Sequence, residues 1–182
     1  MAQPATIRRF EVDVTDVDGG VYESVSLRVA QHPSESEAYC VVRVIAYCLH
    51  LGDGVRMSKS GLCDADEPPL SSESLTGEPR LWVDIGSPSA DRLHKASKRY
   101  ARVVVYTHKR PELLIAKLNK QRIHRANELE LYALDNAAIE QLAAGLSRSN
   151  NWSFIRQDDE LFITAGESPV SFPLRVLAAP SA

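Results

Sequence analysis

Apolar and polar residues alternate near both ends of the chain and recur at helical spacing through its middle. Phe10, Val12 and Val14 alternate with Glu11, Asp13 and Thr15, and Val25, Leu27 and Val29 alternate with Ser26 and Arg28. A period of two puts one set on a buried face and the other in water. Asp16-Val17-Asp18-Gly19-Gly20 supplies a turn, so residues 5–31 are predicted to form a β-hairpin. Ala38, Val42, Ile45 and Leu49 then repeat at the spacing of a helix, widened by Val41, Val44 and Cys48. Ser34 and Glu37 have the spacing of a capping box at its start, and Pro33 stops the preceding strand.

Beyond Gly52-Asp53-Gly54 the pattern changes. Val55–Met57 is a short strand, residues 61–80 read as an acid-rich loop and polar linker, and Leu81–Ile85 is a strand. Ser87 and Pro88 are placed to cap and begin a helix with Leu93, Ala96 and Tyr100 on its apolar stripe. Ala101–Tyr106 is a continuous apolar run suited to a strand buried on both faces. A helix over 111–121, a strand over about 127–134 and a helix over about 136–147 capped by Asp135 follow. Strand and helix thus alternate from 81 to 147, which predicts an α/β (α+β) chain with a central mixed β-sheet flanked by helices. Trp152–Ile155 and Leu161–Thr164 form a second hairpin, Val170–Leu177 an edge strand interrupted by Pro173, and about 178–182 a loose tail. The expectation is one domain over 1–182.

Composition narrows the classes. The chain has 182 residues, 44% hydrophobic and 25% charged, ordinary for a globular domain with a real core. The longest apolar stretch, Ala38–Leu51, is interrupted by Arg43 and His50 and is too short to span a bilayer. MAQPATIRRF carries no apolar core of signal-peptide length. Cys40, Cys48 and Cys63 have no metal-ligand spacing and leave one over, so a reduced, cytoplasmic protein is expected, with a monomer as the default. The five histidines do not fall at zinc spacing, and no Gly-rich phosphate loop or G-x-S-x-G elbow occurs.

The net charge of −3 conceals an asymmetry. From 62 to 91 seven acids stand against one base, Arg80; from 92 to 125 eleven bases stand against one acid, Glu112. The first stretch carries Asp64, Asp66 and Glu67 on a loop and Asp84 at a strand end. Carboxylates so placed can hold Mg²⁺ or Mn²⁺, which take oxygen ligands; solvated turns and a helix cap are the plain alternative. The second stretch offers Arg92, Lys98, Arg99 and Arg102 to the phosphates of DNA or RNA, or covers surface helices with solvated charge. Glu35, three residues before Ala38, is either a first-turn acid favoured by the helix dipole or a carboxylate aimed into a site.

Several segments in fixed order resemble the YaeQ family of bacterial proteins. They are His32-Pro33-Ser34-Glu35, Gly61-Leu62-Cys63-Asp64-Ala65-Asp66-Glu67-Pro68, Leu81-Trp82-Val83-Asp84-Ile85-Gly86 and Lys95-Ala96, and the likeness runs from about residue 5 to 177. The resemblance implies a variant of the PD-(D/E)XK nuclease fold. It implies a metal-dependent nuclease in which Glu35 is the helix acid, Asp66 or Glu67 the first core acid and Asp84 the second. Asp66, Glu67 and Asp84 would hold Mg²⁺ or Mn²⁺. The lysine expected two residues after Asp84 is replaced by Gly86, and Lys95 is the candidate substitute. The loop acids also precede Pro68, where the usual order has the proline first. The alternative is a non-catalytic module that keeps the fold and binds nucleic acid or a protein of the transcription machinery. If the carboxylates cluster, they repel, and neutralising Asp84 is expected to stabilise the metal-free protein.

Overall fold

A computed structural model describes residues 5–58 and 66–181. Strands β1 (Thr6–Asp16) and β2 (Val21–Gln31) pair antiparallel through their whole length, Thr6 opposite Gln31 and Asp16 opposite Val21. Phe10, Val12 and Val14 point inward, as their alternation predicts. Two further hairpin strands, β8 (Ser149–Gln157) and β9 (Glu160–Ala165), join β1 through a parallel β1–β8 pairing. Asp158 and Asp159 between them both take positive φ, the conformation a tight two-residue hairpin turn requires. The carboxylate of Asp18, from the other hairpin's turn, accepts the N–H of each at 2.9 Å. With β10 (Ser168–Pro173) at one edge and β2 at the other, these make a five-stranded mixed sheet.

The second sheet has six strands: β3 (Arg56–Met57), β4 (Leu70–Glu73), β5 (Pro79–Ile85), β6 (Arg102–Thr107), β7 (Glu130–Ala133) and β11 (Arg175–Leu177). Its centre, β5–β6–β7, is parallel, and its edges are antiparallel. The apolar run of β6 is buried on both faces, as expected: Val104 and Tyr106 enter one core and Val103 and Val105 another. The first core lies between the two sheets and contains helices α1 (Glu37–Leu49) and α4 (Asn136–Ala144), which pack on each other. The second lies under α2 (Ala90–Arg99) and α3 (Pro111–Leu118), on the outer face of the six-stranded sheet.

The differences from the sequence reading are local in cause. There are two mixed sheets instead of one. Val170–Leu177 is divided at Leu174, so β10 and β11 lie in different sheets. The linker contains β4, whose Ser72 is buried. The cap of α1 is Ser36, which accepts the Tyr39 N–H at 3.1 Å, because Ser34 lies inside a turn closed by the Glu35 N–H to the His32 carbonyl. The cap of α2 is Ser89, accepting from the Arg92 N–H, and Ser87 and Pro88 precede the helix. Asp135 caps α4 as expected. Near the end of the chain, the Ser181 N–H donates to Asn119 beyond α3.

Candidate functional site

Asp84 occupies the penultimate position of β5 and faces α2, on the same side of the strand as Trp82. Its side chain is buried, yet it is fully engaged. Oδ2 accepts from Trp82 Nε1 at 3.0 Å and from Arg92 Nε at 2.7 Å, and Oδ1 accepts from the Ile85 N–H at 3.3 Å. Arg92 also stacks over the Trp82 ring, 4.8 Å from its centre, and donates through Nη2 to the Glu67 carbonyl at 3.0 Å. The guanidinium thus fastens α2, the end of β5 and the loop at 66–67 to one another. A carboxylate with such a partner has its charge compensated. Neutralising Asp84 removes an attraction, which reverses the sequence-based expectation that it would relieve repulsion.

Glu35 is held in the same manner. It sits in the turn before α1, buried, and both its carboxylate oxygens accept from Arg43 Nη1 at 2.8 and 2.9 Å. The pair's side chains are 0% and 1% exposed, so water screens neither charge. Both carboxylates act on the hydroxyl of Tyr39. Burial raises the pKa of that hydroxyl most, and the charges of Asp84 and then Glu35 raise it further against Arg43 and Arg92. The neighbouring Cys40 thiol is pushed up to about 12, by burial first and by Glu35 second, and stays protonated.

Asp66, Arg92, Lys95 and Arg99 line one cleft of about 190 Å³, with Trp82 and Ser89 in its walls. Lys95 reaches it from α2, but its ammonium lies 3.2 Å from Asp91, and both are well exposed. Glu67 is half-buried and contributes its carbonyl to Arg92. Asp64 lies outside the described residues. Gly86, where the usual motif has lysine, takes φ of +86°, a backbone that any side chain would strain. Its N–H donates to the Tyr106 carbonyl at 2.8 Å, so the turn is fixed by β6.

The basic residues divide. Arg102 lies apart from the others: it pairs with Glu130 at 2.9 Å and Asp53 at 3.4 Å, beside a depression lined by His50, Tyr106 and Arg156. There His50 bridges Asp53 (2.7 Å) and the Tyr106 hydroxyl (2.8 Å). Arg125 is bound to the Ser97, Tyr100 and Ala101 carbonyls and to Glu128. Lys98 and Arg99 on α2, and Arg122 after α3, form no ion pair among the described residues. A groove of about 560 Å³ runs beside α2 between Lys98, His94, Arg122 and His124. Basic charge therefore borders α2 on two sides, the cleft on one and the groove on the other.

No group of three or more His, Cys, Asp or Glu able to hold a metal ion occurs among the described residues. Where carboxylates would converge on a metal, two arginines stand against them. No helix among the described residues is long and apolar enough to cross a membrane.

Comparison with known proteins agrees with this architecture over nearly the whole chain. The YaeQ protein family model matches residues 1–174. The chain is 26% identical to the uncharacterized protein YaeQ of Escherichia coli (strain K12), with all of both chains covered. The crystal structure of the YaeQ protein from Pseudomonas syringae superposes with a TM-score of 0.89 at 30% identity, covering 98% of each chain. That from Xanthomonas axonopodis pv. citri gives 0.87 at 35% identity, covering 97% of this chain and 99% of its own. The chain belongs to the YaeQ family.

Proposed function

We propose that this YaeQ-family protein is a non-catalytic nucleic-acid-binding module, built on a variant of the PD-(D/E)XK nuclease fold, that holds phosphates along α2. The observation that carries the reading is the split in its charges. Glu35 and Asp84, the acids a nuclease would aim at a metal, are each compensated by an arginine. Lys98, Arg99 and Arg122 are left without a carboxylate partner among the described residues. No group of three or more metal-ligating side chains occurs among the described residues, and Gly86 leaves no lysine where one would stabilise a phosphate. Mg²⁺ or Mn²⁺ does not fit the donor set found among the described residues. A protein of the transcription machinery would meet the same face, but free basic side chains favour a phosphate backbone.

The test is fluorescence anisotropy with a labelled oligonucleotide, as DNA and as RNA, over a salt series. Binding falls as salt rises, and replacing Lys98, Arg99 or Arg122 with Ala reduces the log–log slope by about one for each phosphate no longer neutralised. EDTA leaves binding unchanged. Absence of binding at low salt, or variants that bind like wild type, overturns the reading. Mn²⁺-dependent cleavage of the oligonucleotide that disappears in Asp84→Asn replaces it with the nuclease reading.

A further inference from the structure

The carboxyl ends of β6 and β7 open on a depression that the α2 face does not include. The two strands are parallel, with Thr107 opposite Ala133, and the helix after each begins at its end. Ligands of parallel α/β sheets bind at such carboxyl ends. The depression has a volume of about 420 Å³ and is lined by His108, Arg110, Asp135, Asn136 and Arg175 among others. That volume lies within the size range of small-molecule sites.

His108 is the feature that ordinary packing leaves unexplained. The residue is 8% exposed, and both its ring nitrogens are buried without a hydrogen-bond partner among the described residues. A buried polar group without a partner is destabilising, and folded proteins rarely keep one. Burial first, and Lys109 second, hold its pKa below the usual histidine value against the pull of Glu140. The imidazole is then neutral at pH 7, with one N–H to donate and one nitrogen to accept.

Two arginines, Arg110 and Arg175, and two carboxylates, Glu112 and Asp135, line the depression, and an anion would draw on the arginines. Arg110 is exposed, holds a left-handed backbone with φ of +47°, and forms no ion pair among the described residues. The one ion pair of Arg175 among the described residues is with Glu112, at 3.5 Å, with both side chains mostly exposed, a pair of little strength. Asp135 is engaged in capping α4 through the Ala138 N–H. The amino ends of α3 and α4 add positive potential.

We propose that this depression binds a small molecule through an oxyanion group, a phosphate or a carboxylate, with Arg110 and Arg175 taking its charge and His108 its hydrogen bond. In the proposed complex the imidazole turns about χ2, so that one of its nitrogens, covered in the free protein, meets the ligand. The site does not depend on the nucleic-acid reading.

The experiment follows the ring nitrogens of His108 by NMR, with the signal assigned by its absence in His108→Leu. Sodium phosphate and sodium acetate are titrated separately against sodium chloride at matched ionic strength. One oxyanion shifts the His108 signal saturably at concentrations up to about 10 mM. Arg110→Ala with Arg175→Ala weakens that response by at least about tenfold, the loss expected of charge-assisted contacts. Lys98→Ala with Arg99→Ala leaves it unchanged, which separates this site from the α2 face. Which anion acts tells a phosphate ligand from a carboxylate one. No shift with either anion, an equal shift with chloride, or a response undiminished in the double arginine variant overturns the proposal. Should His108→Leu fail to fold, His108→Gln, which keeps a polar side chain at the position, supplies the assignment.

Discussion

A guanidinium among valines requires a carboxylate, and Arg43 finds Glu35 eight residues earlier on the turn that precedes its helix. Removing one partner of a fully buried pair leaves an uncompensated charge, at a cost of about 3–5 kcal/mol, whereas replacing both with apolar groups is often close to neutral. Glu35→Ala is therefore expected to lose about that much stability in urea unfolding, and Glu35→Leu with Arg43→Met to recover most of it. A single variant as stable as wild type would show that the carboxylate is not tied to Arg43. This pairing is within reach of sequence reasoning. Arg43 interrupts an otherwise apolar stripe, buried arginines are paired, and Glu35 lies two turns away at the end of the same stripe. The Asp84–Arg92 pairing is not, because it depends on how α2 docks against β5. Sequence alone groups Arg92 with the phosphate-binding bases for the same reason: Lys95, Lys98 and Arg99 follow it in sequence, whereas its partner in space is the acid Asp84. Nor does a sequence signal set His108 apart from the other four histidines, since its lack of a partner exists only after the sheet and helices have closed around it.

At the scale of elements, periodicity locates α2, α3 and α4 by their buried stripes, α1, buried on nearly every side, by its long apolar run, and the long strands because each alternates or is continuously apolar. The ends are less legible. Ser34 and Ser36, or Ser87 and Ser89, are equally good caps by residue type, and only the backbone decides which has extended φ and ψ at the first turn. Ser89 has φ −74° and ψ 152° and receives the Arg92 N–H at 3.2 Å. Ser89→Ala is accordingly expected to destabilise the protein by about 1 kcal/mol, while Ser87→Ala, outside the cap, changes stability within about 0.5 kcal/mol. Chemical denaturation of the two variants side by side checks this, and the reverse order would return the cap to Ser87. β4 is hidden from pattern reading because Leu70-Ser71-Ser72-Glu73 carries little apolar signal, with a serine buried where a strand would ordinarily place an aliphatic residue. The cap at Ser89 also matters for the site: it fixes the first turn of α2, which delivers Arg92 to Asp84 and sets Lys98 and Arg99 outward.

The order of strands across the molecule cannot be read from local pattern, since the parallel pairing of β1 with β8 joins residues about 140 positions apart in sequence. That pairing ties the first hairpin to the last, and the core between the sheets draws on both: Phe10 meets Trp152 edge to face at 5.2 Å. The outer core, under α2 and α3, holds the other tryptophan, Trp82. Both cores share the backbones of β5 and β6, whose alternate side chains enter one or the other. Loss of either core therefore exposes half of the same two strands. Chains longer than about 150 residues often populate intermediates, so a single transition is a demanding expectation. The chain supplies the probes: Trp82→Phe leaves Trp152 to report the inner core, and Trp152→Phe leaves Trp82 to report the outer one. Within each variant the urea curve by tryptophan fluorescence is expected to coincide with the curve by far-ultraviolet circular dichroism. Comparing the curves within a variant allows for any stability change the substitution brings, including the Trp82 hydrogen bond to Asp84. If the Trp82 signal falls before the secondary structure does, α2 and α3 open as a separate unit. The basic face would then ride on a part of the molecule able to rearrange around a bound strand. If all curves coincide, that face is presented rigidly, as part of one cooperative unit with the inner core that buries Glu35 and Arg43.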